Sequence, residues 1–350
     1  MQGKQETTLR VGIVGTGFGA AVHVPGLRQI PGVEVAGICA AHLEHARSAA
    51  LLHGVPAYYD DYRRMFREGG LDAVTIATPP ELHHPIAIAA AESRLHILCE
   101  KPMARNAAEA RDMFRLARDS GVRHAVDYEH RFTPSRLRMK KLVDSRYLGD
   151  FHSITLTVYR TSYADRLRHS STALDEGERA GGVLGALGSD YVDVLRWWFG
   201  DIHAVAGASP RVPGDDTFAA LLQFANGGIA TIHLSSSSPV DLGDEIVATG
   251  SQGMIAVQPD GRLFGVRRDE QVVSELAADE AQPEVETSVA DPRLRPFALL
   301  AGEWVRSIRS GDGYAPTFEE GMKVQEVLDS VRRSQDLGRW IDTSGKRWPT

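Results

Sequence analysis

The 350-residue chain has only two cysteines, Cys39 and Cys99. Two scattered thiols make neither a disulfide framework nor a zinc site. Both fall at the ends of apparent buried strands, so they are expected to be reduced core residues of a cytoplasmic protein. Positive charge is also short. Lys and Arg number 39 against 46 Asp and Glu, a net charge of −7, which argues against a nucleic-acid binder that works by neutralising phosphates. No run approaches about 18 apolar residues, so no membrane-spanning helix is expected. Met1 to Thr8 is polar and has no apolar core of the kind a signal peptide needs, so none is expected. Repeats and low-complexity tracts are missing, and the only adjacent histidine pair is His83-His84. What remains is ordinary for a globular protein: 43% apolar and 24% charged residues, in a chain long enough for two domains and a sizeable core.

The start of the chain is more specific. Leu9 to Val14 is an apolar, β-branched run, followed at once by Gly15-Thr16-Gly17-Phe18-Gly19-Ala20, and a helical pattern begins at His23. Strand, glycine turn and helix in this order match a dinucleotide-binding unit. Gly15 allows the tight turn, Gly17 lets backbone approach a pyrophosphate, and Gly19 keeps the turn compact against the sheet. A second strand, Val33 to Cys39, follows within about thirty residues, as that motif requires.

The end of the second strand bears on cofactor choice. An acidic residue there would bond the adenine ribose and select NAD. The chain instead has Ala40-Ala41-His42, with no carboxylate before Glu44. With no carboxylate to repel a 2′-phosphate, and with His42 and Arg47 nearby, NADP is expected, NAD being the alternative.

Strand and helix patterns then alternate through Val122–Val126, which predicts a doubly wound parallel sheet. The loop from Thr78 through Pro79 to His83 is expected over the ribose and nicotinamide. His83 is open to two readings, a polar helix start or a contact to cofactor or substrate. Leu95 to Leu98 reads as a strand and delivers Glu100-Lys101-Pro102 to the sheet's ligand edge. Pro102 biases Lys101 toward extended backbone, so that its side chain can project. By itself Lys101 would pass as a solvated loop residue; beside a dinucleotide site it becomes a candidate for contact with the reacting group.

After residue 127 the pattern changes. A basic helix, Thr133 to Tyr147, precedes a strand at Phe151 to Tyr159. Ser162 to Arg179 has no clear period and predicts a long loop. Six strand-like runs between Ile202 and Val266, with an Asn226-Gly227-Gly228 turn, predict a mostly antiparallel sheet. One face of that sheet must be covered by helices or by another subunit. Asp279 to Ser288 reads as an acidic loop, and helices at Arg295 to Ser310 and Phe318 to Leu337 close the chain. The expected division is a dinucleotide-binding domain over 1–127 and a substrate and oligomerisation domain over 128–350.

Gly181-Gly182-Val183-Leu184-Gly185-Ala186-Leu187-Gly188-Ser189-Asp190-Tyr191-Val192-Asp193 is a glycine-rich entry into a helix. Ala186, Asp190, Asp193 and Trp197 recur at four, three and four residues, which predicts one helix face. The two carboxylates are an acid–base candidate; the alternative is a backbone-bonding Asp193 and a solvated Asp190.

With this stretch the chain resembles the Gfo/Idh/MocA oxidoreductases over nearly its whole length. The resemblance rests on Gly15-Thr16-Gly17-Phe18-Gly19, on Thr78-Pro79 with His83, on Glu100-Lys101-Pro102 and on the helix from Gly181 to Asp193. It implies a Rossmann domain followed by an α/β domain with a large open sheet. It also implies hydride transfer between NAD(P) and a hydroxyl or carbonyl carbon of a sugar, polyol or related small molecule, and assembly as homodimers or homotetramers. Lys101 would bind the substrate hydroxyl and handle its proton. Gly15 to Gly19, Ala40, His42, Thr78, Pro79, His83, Glu100 and Lys101 would hold the cofactor.

The family's helix pattern is Asp-x-Gly-x-His-x-x-Asp. Here the first Asp position is Ala186 and the His position is Asp190, so an acceptor with a lower reference pKa stands where the base is expected. Tyr159 and Trp197 are candidates for the substrate pocket, as are Tyr163, Arg166 and His169. Arg131 reads either as a pocket residue or as a salt bridge. Two other readings remain open: a cofactor-binding sensor without turnover, and redox-neutral, NAD-dependent glycoside cleavage or elimination.

Overall fold

The first sheet is entirely parallel, its strands joined by helices. The computed structural model describes residues 8–161, 182–210, 217–277, 291–312 and 316–344. The strands are β1 (Leu9–Val14), β2 (Val33–Cys39), β3 (Tyr58–Tyr59), β4 (Ala73–Ile76), β5 (His96–Cys99) and β6 (His124–Val126). Their spatial order is β3-β2-β1-β4-β5-β6, so the order reverses between β1 and β4. In such sheets the ligand crevice lies beyond the strand C-termini at that reversal. Val11, Ile13, Ile38, Val74, Ile76, Ile97 and Leu98 are fully buried, as expected for strands covered on both faces.

The connecting helices are α1 (Val24–Arg28), α2 (Leu43–His53), α3 (Tyr62–Glu68), α4 (His83–Glu92) and α5 (Ala107–Asp119). Asn106 caps α5 by accepting a hydrogen bond from the Glu109 N–H at 3.0 Å. The first helical segment departs from the expected start at His23: a π-helical turn, Gly19–His23, comes first and runs straight into α1.

The chain divides into two compact units, and the first is discontinuous, joining residues up to Phe132 with 283–322. The returning helix, Leu294–Ser310, buries Leu294, Phe297, Ala298, Ala301, Trp304 and Val305, an apolar stripe at three-and-four spacing. It packs on α1. The approach is close: a Cβ added to Gly26 would lie 2.4 Å from the Phe297 ring.

The second unit holds residues 133–282 and 323–350. It is built on a nine-stranded sheet of order β14-β13-β12-β11-β7-β10-β9-β8-β15. These strands are β7 (Phe151–Tyr159), β8 (Ile202–Ala208), β9 (Thr217–Phe224), β10 (Ile229–Ser235), β11 (Gly243–Gly250), β12 (Gly253–Val257), β13 (Leu263–Arg267), β14 (Ser274–Leu276) and β15 (Ile341–Asp342). All neighbours pair antiparallel except β7 with β10.

Period-two alternation gives the sheet two unlike faces. Ile154, Leu156, Val158, Phe218, Ala220, Leu222, Ala230, Ile232 and Leu234 are buried on one. The other presents Thr155, Ala219, Thr231 and, at 44% and 48% exposure, Leu221 and Ile229. The Asn226-Gly227-Gly228 turn joins β9 to β10, with Gly227 at φ +90° and the Asn226 side chain accepting the Gly228 N–H at 3.0 Å. The expected loops at Ser162–Arg179 and Asp279–Ser288 lie outside the described residues.

Candidate active site

The glycine loop follows β1 directly, and its glycines have different physical reasons. Gly15 sits at φ +117°, and a Cβ there would lie 2.1 Å from the Ala77 carbonyl oxygen, so only glycine fits. A Cβ on Gly19 would meet Ile13 at 2.9 Å and Ala77 at 3.2 Å, the signature of a tight helix–sheet contact. Gly17 is exposed, and among the described residues a Cβ there meets no atom within 4 Å. Its lack of a side chain is not demanded by packing. An open glycine between two packing glycines fits a dinucleotide pyrophosphate approaching that backbone. Thr16 is half-buried beside it. The Phe18 ring lies under the Arg293 guanidinium at 4.6 Å and edge-on to His23 at 5.3 Å.

The exposed residues after β2 begin at Ala41. Ala40 is half-buried, its N–H bonded to the Tyr59 carbonyl at 3.1 Å. His42 is exposed at the start of α2, its ring edge-on to His45 at 5.3 Å. Arg47 is exposed and pairs with Glu44 at 3.9 Å, a loose surface contact of little energy.

Thr78 and Pro79 follow β4. His83, expected to contact cofactor or substrate, is completely buried. Its Nε2 stands 2.8 Å from the Thr78 carbonyl oxygen and its Nδ1 3.0 Å from that of Pro102. Burial holds its pKa below the usual histidine value against the pull of those carbonyls, so the ring is neutral and donates to one of them at a time. Both ring nitrogens are engaged by the protein. His83 therefore links the loop after β4 to the loop after β5.

Glu100 and Lys101 follow β5, whose register to β4 is held by Ile76↔Cys99. Glu100 is buried; its Oε1 lies 3.1 Å from His23 Nε2, and its Oε2 accepts the Lys101 backbone N–H at 3.2 Å. Lys101 itself is half-buried. At the end of β6 the fully buried Asp127 places Oδ2 3.5 Å from the same His23 nitrogen. The His23 ring stacks on Phe297 with centroids 4.3 Å apart. His23 and Asp127 escaped the sequence reading. The available signals were the position of His23 beside the glycine motif and of Asp127 at a strand C-terminus.

Burial pushes the Cys39 thiol up to about 12 and the Cys99 thiol well above its ordinary range, so both act as small apolar core groups. Arg131 is 1% exposed and pairs with Glu320 at 3.0 Å, the salt-bridge reading of the two.

In the second unit the expected single face from Ala186 to Trp197 is interrupted. Gly182–Ala186 and Gly188–Phe199 are separate helices with a break at Leu187. Within the Gly188–Phe199 helix every residue is buried except Trp197, which is half-buried. Asp190, in its first turn, and Asp193 are both fully buried, not solvated. The adjoining Tyr191 phenol bonds Asp244 on β11, and burial raises its pKa well above the ordinary value. Asp244 is also paired with Arg136 and Arg160, which ties this helix to the core face of the sheet.

Tyr159 does not join Asp190. It follows the buried Val158 on β7, points to the opposite face and packs on His233 at 5.2 Å, because successive strand residues alternate sides. Tyr163, Arg166 and His169 lie outside the described residues.

Residues 9–128 match the family model described as an oxidoreductase family with an NAD-binding Rossmann fold, and residues 137–256 match the GFO/IDH/MocA C-terminal domain. The mouse trans-1,2-dihydrobenzene-1,2-diol dehydrogenase is 31% identical over 259 residues, 71% of this chain and 74% of that protein. The levoglucosan dehydrogenase of Pseudarthrobacter phenanthrenivorans is 26% identical over 391 residues, covering 95% of this chain and 98% of the relative. A solved levoglucosan dehydrogenase in complex with NADH and levoglucosan has the same fold, with a TM-score of 0.86 at 24% identity over 95% of this chain and 98% of that one. With both halves matched in order, the chain belongs to the Gfo/Idh/MocA oxidoreductase family.

Proposed function

We propose that this protein is an NAD(P)-dependent dehydrogenase acting on a secondary hydroxyl of a sugar, polyol or similarly small polyhydroxylated molecule. The observation that carries the reading is Lys101, set at the C-terminal edge of the parallel sheet on a turn whose backbone is bonded to Glu100, alongside a glycine loop left open at Gly17. The named substrates of the two relatives, a sugar anhydride and a cyclic diol, share vicinal hydroxyls on a ring.

A nicotinamide bound there supplies the hydride acceptor. Lys101 would hydrogen-bond the reacting hydroxyl oxygen and stabilise charge developing on it. Asp190 is assigned to accept the hydroxyl proton from its place in the helix pattern, and Trp197 is the half-exposed aromatic on that helix. Gly15, Thr16, Gly17, Phe18 and Gly19 would hold the pyrophosphate, with Thr78 and Pro79 beside the nicotinamide and His83 and Glu100 shaping their loops.

NADP is the favoured cofactor, because residues 40–43 after β2 include no carboxylate and His42, His45 and Arg47 are exposed at the start of α2. A cytoplasmic homodimer or homotetramer, with the open face of the nine-stranded sheet covered by another subunit, fits the exposed Leu221 and Ile229.

Near-ultraviolet absorbance of the reduced nicotinamide tests this directly, with NADP⁺ or NAD⁺ and a panel of sugars, sugar anhydrides and cyclic diols. Production of the reduced cofactor with one substrate class, lost by at least about 100-fold in Lys101→Ala with cofactor binding intact, is the expected result. Asp190→Asn should also lower turnover and change its pH profile. Full turnover in Lys101→Ala would remove Lys101 from the reaction.

A further inference from the structure

The His23, Glu100 and Asp127 side chains meet at one buried point where the first unit's π-helical turn, β5 and β6 come together. One His23 ring nitrogen and one carboxylate oxygen from each of Glu100 and Asp127 all lie within 4.8 Å of one another. His23 Nε2 faces Glu100 Oε1 at 3.1 Å and Asp127 Oδ2 at 3.5 Å. One N–H cannot satisfy two carboxylates. Among the described residues neither Asp127 oxygen receives a hydrogen bond from any donor, although the residue is completely buried.

A buried carboxylate without donors beside a second carboxylate is costly when both are ionised. A proton on Asp127 removes that cost and gives it Glu100 as an acceptor. Burial first, then the Glu100 charge, hold the Asp127 pKa well above the carboxylate range, while against its own burial the hydrogen bond from His23 keeps that of Glu100 low. Other charged or titratable groups face the pair: Glu129 from the turn after β6, Arg293 from the start of the returning helix, His83 from α4, and Cys99 and Lys101 from the β5 end.

We infer that Asp127 and Glu100 are positioning residues that share one proton, so that a single fixed negative charge, on Glu100, stands beside Lys101 and sets its charge state. The protonated Asp127 keeps a second charge out of the site, and His23 ties the Glu100 charge to the glycine loop. The consequence for catalysis rests on the role of Lys101 proposed above; the charge arrangement does not.

The test is a titration of the Lys101 amine in the full-length protein after ¹³C-dimethylation of its six lysines, with Lys101→Arg identifying the resonance. Glu100→Gln should lower the Lys101 midpoint by about one pH unit through loss of the neighbouring charge, whereas Asp127→Asn should leave it in place. An unmoved midpoint in Glu100→Gln, or a fall in Asp127→Asn as large as in Glu100→Gln, overturns the inference. Because the two variants place a neutral amide in a buried cluster, wild-type protein supplies an independent check by infrared spectroscopy. A protonated-carboxyl band present at neutral pH in the wild type and lost in Asp127→Asn supports the shared proton; its absence from the wild type refutes it. Turnover of Lys101→Met is scored separately: an active variant defeats the catalytic role of Lys101 without touching the charge arrangement.

Discussion

The Phe297 ring lies flat on the His23 imidazole, with centroids 4.3 Å apart and planes 12° from parallel. Phe297 belongs to the helix that returns to the first unit after the nine-stranded sheet, and His23 closes the turn that starts from the glycine loop. The late segment of the chain thus forms part of the support for the dinucleotide loop. It does so through an apolar contact with a side chain that also faces Glu100.

Phe297→Ala should therefore do two things. Removing a fully buried ring costs about 3–5 kcal/mol of stability, readable by urea denaturation. The loosened His23 should also weaken dinucleotide affinity in a direct titration. Lost stability with unchanged affinity would confine Phe297 to the core.

The glycines separate packing from ligand approach. Gly15→Ala must relieve a 2.1 Å contact with Ala77 at a positive φ, so a large drop in Tm is expected. Gly17→Ala meets no atom of the described residues within 4 Å and should leave Tm unchanged while weakening dinucleotide binding. If Gly17→Ala bound cofactor normally, the pyrophosphate would have to approach elsewhere.

Acid should destabilise the first unit through His124. Burial pushes this histidine down to about 4, and its Nδ1 accepts the Phe318 N–H at 3.1 Å, which requires an unprotonated nitrogen. The unfolded residue titrates near 6.5. Between those values the unfolded state binds more protons, so stability is full above about pH 6.5 and falls as the pH drops toward about 4. The full loss is on the order of 3 kcal/mol. Denaturation of His124→Gln at neutral and acid pH should show a smaller acid decrement than the wild type; an equal decrement would place the sensitivity on other groups.

His42→Ala should raise the Kd for NADP several-fold and leave that for NAD nearly unchanged, since an exposed ring N–H at the start of α2 acts mainly on the extra phosphate. Equal effects on both cofactors would mean that His42 does not meet the 2′-phosphate.

The residues that define local geometry made much of this protein legible from its sequence. The run Leu9–Val14 followed by Gly15, Gly17 and Gly19 encodes strand, turn and helix through hydrophobic period and steric freedom alone. Asn226-Gly227-Gly228 encodes a hairpin for the same reason. The alternating residues of β7, β9 and β10 marked strands, and Lys101 was locatable because a strand and a proline fix where it emerges. Tertiary structure decided what depends on partners distant in the chain. The discontinuous first unit rests on Phe297 meeting His23 and Gly26, contacts for which no local pattern exists. The two ring nitrogens of His83 turned out to face Thr78 and Pro102, and Tyr159 fell on the sheet face opposite Asp190 because one residue of register changes the side. The His23, Glu100 and Asp127 cluster joins a helical turn and two strand ends that are far apart in sequence. Short-range sterics write turns and strands into adjacent residues, whereas the meeting of charges and rings is set only when the strands have taken their places in the sheet.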